Sequence, residues 1–190
     1  ETLRTPLSKS KWEFYSTLPD QTGGVGQFSM ANEPSLHIPY LYNYAGAPWR
    51  TQRLVRKLID TWFRPDLMGV PGDEDGGGLS AFVVFSMMGI YPVTPGLPIY
   101  NIGTPFFPRV TLQLSSGRTF VIEAKETSAT NKYIQSAELN GKPLDRAWLR
   151  HSELAAGGRL VLVMGSRPNK AWGAKTPPPS AERIDLKPVK

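Results

Sequence analysis

Cysteine is missing altogether from these 190 residues, so disulfides and thiolate metal sites are excluded and the redox compartment is left open. No apolar run approaches the ~20 residues that a membrane span requires. Familiar phosphate loops are missing too. GGVG at 23–26 and GGG at 76–78 lack both the strand–glycine–helix frame and the lysine of a P-loop. No GxSxG elbow supports a serine nucleophile. A lone histidine is weak evidence of any site, and His151, in WLRHSEL, is assigned no role. The first residue is Glu1 rather than Met, as expected of a processed or excised piece, so the lack of a visible leader carries no information.

What is present is a foldable chain. Apolar residues make up 40%, enough to bury a core, and 18 glycines with 18 prolines point to many turns and irregular connections. The formal net charge is +6. Its densest basic run, Arg50, Arg53, Arg56 and Lys57, is expected on one solvated helix face opposite the apolar stripe. No nucleic-acid signature accompanies it, so no nucleic-acid partner is expected.

Two regions differ in periodicity. Leu54, Leu58 and Trp62, with Val55, Ile59 and Phe63 beside them, predict an amphipathic helix over 49–63. Pro48 suits its first turn, and Pro65 ends it. Residues 79–88 are apolar almost all round and predict a buried helix capped by Gly89. From residue 98 the pattern becomes one of short alternating strands. Val110, Leu112 and Leu114 alternate, Ser116-Gly117 marks a turn, and 119–124, 134–139 and 159–164 follow. Asn140-Gly141 is a two-residue hairpin signal, because both positions tolerate positive φ. His151 or Ser152 opens a short helix. The fold class read from this is α+β, helices followed by a small antiparallel β-sheet region. The parts are a helical region, 1–92, an antiparallel β extension, 93–175, and a mobile proline-rich tail, 176–190.

Two stretches could carry chemistry. In GDEDGGGLSAF, residues 72–82, three acids stand against three glycines. Asp73 and Asp75 would point the same way in an extended loop, which suits a calcium site or a general base. Equally, the acids could be a solvated turn at a helix N-terminus, where carboxylates are favoured. The EF-hand pattern fails, since Val84 stands where a bidentate Glu belongs. In ANEPSLHIPYLYNYAG, residues 31–46, Asn32, Glu33 and His37 lie among Tyr40, Tyr42 and Tyr44, a composition that suits a sugar site. Pro34 pushes Glu33 out of the helical region, so a loop is expected there. The bland alternative is half-buried tyrosine packing, with Glu33 as a cap.

Taken in order, these segments resemble the C-terminal part of the family-92 glycoside hydrolases, the calcium-dependent exo-acting α-mannosidases. The resemblance rests on GQFSMANEPSLHIPYLYNYAGAPWRTQRLVRKLIDTWF, then GVPGDEDGGGLSAFVVFSMMGIYPVTPG and YNIGTPFF, and it continues to PNKAWG, over about residues 20–173. It implies an inverting mechanism on terminal α-linked mannose, a bound Ca2+, and residues 1–92 as the last helices of an (α/α)6 barrel. It implies Asp75 as general base with Asp73 in support, His37 at the substrate, and Asn32 and Glu33 at the calcium site. The implied partners are a mannose-containing glycan and the remaining N-terminal part of the enzyme, and the implied location is secreted or periplasmic.

Two departures accompany it. Family members commonly read GQMSA where this chain has GGLSA at 77–81, so Gly78 lacks an amide. The family's general acid lies in an aromatic-rich motif that is not found here, and Glu13 in KWEFY lacks its surroundings. The isolated chain is therefore expected to be inactive and to expose apolar surface. The alternative reading is a non-catalytic carbohydrate-binding or structural module.

Overall fold

The computed structural model describes residues 28–66, 69–72 and 74–180. Asp73 and the last ten residues of the proline-rich tail lie outside the described residues.

The helical part follows the apolar spacing closely. Two 3-10 turns, Glu33–Ser35 and Ile38–Tyr40, lead into the single-turn α1, Leu41–Tyr44. Helix α2, Pro48–Trp62, opens on its proline, where the missing N–H costs nothing, and buries Val55, Leu58 and Ile59. It stops when Phe63 turns extended, two residues before Pro65. Helix α3, Gly78–Met88, ends on Gly89 at φ 94°, a left-handed cap. A Cβ at Gly89 would stand 2.5 Å from Pro105 Cγ, so glycine is needed there for space as well as for dihedral freedom.

Two expectations about these helices need correction. Arg56 is not part of a solvated basic face: it is only 5% exposed. Its Nη2 donates to Pro105 O at 2.7 Å, and its guanidinium lies 3.8 Å from the Phe106 ring centre. Burial lowers its pKa, while Asp60 one turn on works in the other direction. The flat delocalised cation stacks on an aromatic face, which a period count cannot register. Helix α3 is not buried all round either: Val84 is 56% exposed, and Ser80 and Ala81 beside it are exposed too.

Among the described residues, eight strands form two sheets. In the first, β1 (Ile90–Tyr91), β2 (Ile99–Ile102) and β7 (Trp148–Arg150) run antiparallel with β2 central. In the second, the order is β3 (Arg109–Gln113), β4 (Thr119–Lys125), β8 (Gly158–Gly165), β5 (Tyr133–Leu139), β6 (Lys142–Pro143). Asn140 at φ 52° and Gly141 at φ 76° make the tight turn between β5 and β6, as their types require. This sheet is mixed, not antiparallel, because β8 pairs parallel with β4. The hairpins β3–β4 and β5–β6 are joined by turns, which force reversal. By contrast β8 arrives after β7 and the short helix α4, His151–Ala155, so a crossover sets its direction.

Polar side chains stitch the parts together. Asn43, fully buried on α1, directs its Nδ2 at Asn101 Oδ1 (3.1 Å), Ile102 O (3.0 Å) and Ala147 O (3.2 Å). From α2, Gln52 accepts the β5 backbone N–H of Ile134 at 3.0 Å, and Thr51 donates to Pro39 O at 2.9 Å. The start of the proline-rich tail is docked as well, since Trp148 donates through Nε1 to Thr176 O and Pro178 is buried.

Candidate active site

The two sequence stretches singled out for chemistry meet, and glycine lets them do so. Gly72, at φ 89°, approaches Ala31 so closely that a Cβ would stand 2.4 Å from the Ala31 carbonyl oxygen. Six residues on, a Cβ at Gly78 would lie 3.0 Å from Glu33 Cγ. A larger residue at Gly72 would drive the acidic turn away from the Asn32–Glu33 segment, whereas at Gly78 only the flexible Glu33 side chain would have to shift.

On that segment Asn32 is extended, at φ −144° and ψ 127°, and its carbonyl accepts the Ser35 N–H at 3.0 Å. Its side chain makes no capping bond. Glu33, expected in a loop ahead of Pro34, instead opens a tight 3-10 turn and is half-buried. His37 heads the second 3-10 turn and is exposed.

A cleft of ≈ 450 Å³ lies between this segment and α3. Glu33 and His37 line one part of it and Gly78 another, while Phe85, Tyr91 and Pro95 supply apolar surface. Tyr91 is held from behind. It stacks on Tyr40 at 5.0 Å with 20° between the planes, and Tyr40 donates its hydroxyl to Ser86 Oγ at 2.9 Å. Burial holds both phenols above their ordinary pKa, and the Ser86 bond only partly offsets this at Tyr40, so each remains a neutral ring at physiological pH.

The acidic stretch divides its roles. Glu74 folds back, and its Oε1 accepts the Ser80 N–H at 3.0 Å, in the first turn of α3. Its backbone carbonyl accepts Gly78 N at 2.9 Å. This is the structural role that acids before a helix commonly have, and it falls to the middle acid. Asp75 is different: its side chain is exposed and its backbone sits at φ 43°, a left-handed conformation uncommon for a residue with a side chain. Asp75 is not in the wall of the cleft but stands on the turn three residues before Gly78, which is. Asp73, its proposed companion, falls outside the described residues.

The structure therefore brings Glu33 and His37 to one cleft, with Asn32 adjoining and Asp75 on the neighbouring turn. Sequence reading missed the aromatic wall. GIYP follows a helix whose sequence is almost uniformly apolar, and nothing in its spacing distinguishes a ring facing a cleft from one facing the core. As to a metal, among the described residues no three His, Asp or Glu side chains gather into a ligand set. Glu33 and Asn32 offer hard oxygens of the kind Ca2+ takes, but fewer than the six to eight or so it requires.

The family model for the glycosyl hydrolase family 92 catalytic domain matches residues 2–166. An uncharacterized secreted glycosidase of Arthroderma benhamiae is 37% identical over 147 residues, which is 76% of this chain and 19% of that protein. Among solved structures, a family GH92 α-mannosidase from Bacteroides thetaiotaomicron, in complex with mannoimidazole, aligns with a TM-score of 0.78 at 33% identity. That match covers 88% of this chain and 23% of the other. An inverting GH92 mannosidase from the same organism aligns with a TM-score of 0.75 at 46% identity, over 79% of this chain and 20% of its own. The chain thus spans about a fifth of the length of these relatives.

Proposed function

Because the chain belongs to glycosyl hydrolase family 92, we propose that it is the C-terminal part of the catalytic region of an inverting, calcium-dependent exo-α-mannosidase. The enzyme removes terminal α-linked mannose from glycans, and it is secreted. In this reading α2 and α3 are among the last helices of an (α/α)6 barrel, and the sheets are an extension beside it. The exposed Val84 face of α3 then meets barrel helices supplied by the N-terminal remainder.

The observation that carries the proposal is the meeting of the Glu33–His37 segment and the glycine-rich acidic turn at one cleft with an aromatic wall. Polar groups on one side and ring faces on the other match the two surfaces of a pyranose, its hydroxyls and its C–H groups. Asp75 acts as general base, with Asp73 sharing or supporting that role. As a water oxygen bonds to the anomeric carbon, Asp75 takes the water's proton. The glycosidic C–O bond breaks, and the leaving oxygen is protonated by a general acid outside this chain. The two carboxyls of such a pair stand roughly 6.5–9.5 Å apart to admit that water.

The left-handed turn at Asp75 keeps its carboxylate outward while Glu74 caps α3, so neighbouring acids do not compete for one task. His37 orients substrate hydroxyls. Asn32 and Glu33 belong to the calcium site, where the ion, when bound, supplies Lewis-acid stabilisation of sugar hydroxyls. The remaining ligands come from water, substrate or the rest of the enzyme.

Proton NMR of the complete enzyme's first-formed product should show β-mannose, the mark of inversion, and α-mannose appearing first would refute it. Asp75→Asn should lower kcat by about 10²–10⁴-fold, the range typical of a lost general base. An unimpaired Asp75→Asn enzyme would place the base elsewhere. The isolated chain should release no mannose, and Asp75-dependent turnover by it would show that no outside acid is needed.

A further inference from the structure

The N-terminal turn of α2 carries a cluster that shares no residue with the cleft. Trp49 is half-buried, and three cations stand round its ring. The Arg50 guanidinium carbon is 5.0 Å from the ring centre, that of Arg53 5.9 Å, and Lys170 Nζ 5.7 Å. Arg50 also lies 5.6 Å from the ring centre of Tyr42, a second half-buried aromatic. Trp49 and Arg53 share a helix face by their spacing, whereas Lys170 is brought in from the segment after β8.

These cations are poorly compensated. All three are exposed, and the ion pairs among the described residues are made by other side chains: Arg64 with Asp66, Arg146 with Glu153, Arg159 with Glu123. Arg50 also sits in the first turn of α2, at the positive end of the helix dipole, where a cation is disfavoured. The Trp49 ring offsets part of this through its cation–ring contacts. An anion set among the three would reverse both the mutual repulsion and the dipole penalty.

We infer that this patch is a second carbohydrate-binding site, selective for a saccharide bearing an anionic group such as sulfate. Arg50, Arg53 and Lys170 hold the anion, and Trp49 and Tyr42 meet the sugar's C–H surface. Two neighbouring rings favour a sugar over an acidic polypeptide, which needs cations but no aromatic face. The site stands apart from the catalytic reading, because none of its residues has a part in that chemistry.

The test is calorimetric titration of this chain with a sulfated oligosaccharide and its unsulfated counterpart. The Trp49 indole N–H signal, identified by its loss in Trp49→Phe, is followed in parallel by NMR. The sulfated sugar should shift that signal and bind at least about tenfold more tightly than the neutral one, the least that one lost charge-assisted bond implies. Lys170→Gln and Arg50→Gln should each weaken it about tenfold while leaving the thermal midpoint in place. Equal affinity for both sugars would overturn the inference, as would affinity unmoved in both variants. Equal affinity for inorganic sulfate would show that no sugar is recognised. An equal response to a glutamate-rich peptide would assign the patch to an acidic protein segment instead.

Discussion

Around α2 and α3 the buried aliphatic side chains Val55, Leu58, Ile59 and Leu79 pack with a cluster of rings. Tyr40 stacks on Tyr91, Phe82 meets Tyr91 edge-on at 5.3 Å, and Phe63 lies 6.3 Å from Phe82. In the five-stranded sheet the core is mostly aliphatic, with Ile122, Ile134, Leu160 and Leu162 fully buried around Phe120. The sheet orders itself through ladder bonds and alternation, which repeat along each strand and tolerate local change. The helical part relies on close approaches at Gly72 and Gly89, where a positive φ and a Cβ clash coincide. The candidate site lies beside one of these positions, Gly72.

The largest effect that would test this contrast is in the sheet. Phe120→Ala should cost about 3–5 kcal/mol by denaturant unfolding, as for other fully buried rings. A much smaller cost would mean that the sheet can collapse onto the gap and is looser than its burial implies.

Gly72→Ala comes next, at about 2–4 kcal/mol, since it combines a clash with a positive φ. Its signature should be local: the Ser80 amide, held by Glu74, should exchange with solvent faster while β4 and β8 amides are unaffected. Uniform loss of protection would show the two regions to be one cooperative unit.

The link between them is Asn43. Asn43→Ala should cost about 1–3 kcal/mol, because Asn101 and two backbone carbonyls lose a buried partner. Calorimetry of the variant should then resolve separate transitions for the helical part and the sheet. A single transition would mean that Gln52 and the apolar contacts suffice to couple the parts.

The smallest effect concerns acid stability in the sheet region. Burial alone would raise the Glu153 carboxyl pKa, but bonds from Arg146 and the Arg150 N–H, with both positive charges, outweigh it and lower the value below 4.5. A depressed folded pKa adds stability that is fully present above the unfolded value and is lost as pH falls through the folded one. Glu153→Gln should therefore slightly reduce stability at neutral pH and flatten its dependence below about pH 4.5. An unchanged acid limb would show the pair to be fully screened.

Much of the helical part is legible in the order of its residues. The leucine spacing places α2 to within a residue, Gly89 marks the end of α3, and Asn140-Gly141 announces its hairpin in the sheet region, because each is a local preference of the backbone. Strand β2 is not legible. Prolines crowd both sides of Ile99–Ile102, yet it is the central strand of its sheet and pairs on both edges, since the prolines fall outside it. Of the site, Glu33, His37 and Asp75 are identifiable from their motifs, whereas Tyr91 and Phe85 are not, because they differ from core residues only in what they face.

By itself, then, the sequence determined where helices and turns begin and end, and which family's motifs the chain carries. All of these depend on residues near one another along the chain. Only tertiary structure decided that Arg56 would be buried on Phe106, that β8 would lie parallel to β4, and that Glu74 rather than Asp75 would cap α3. Those outcomes turn on which distant segment arrives as a neighbour, or on which way a side chain faces once it has. Burial, partner and direction are properties of that arrangement and not of the residues alone.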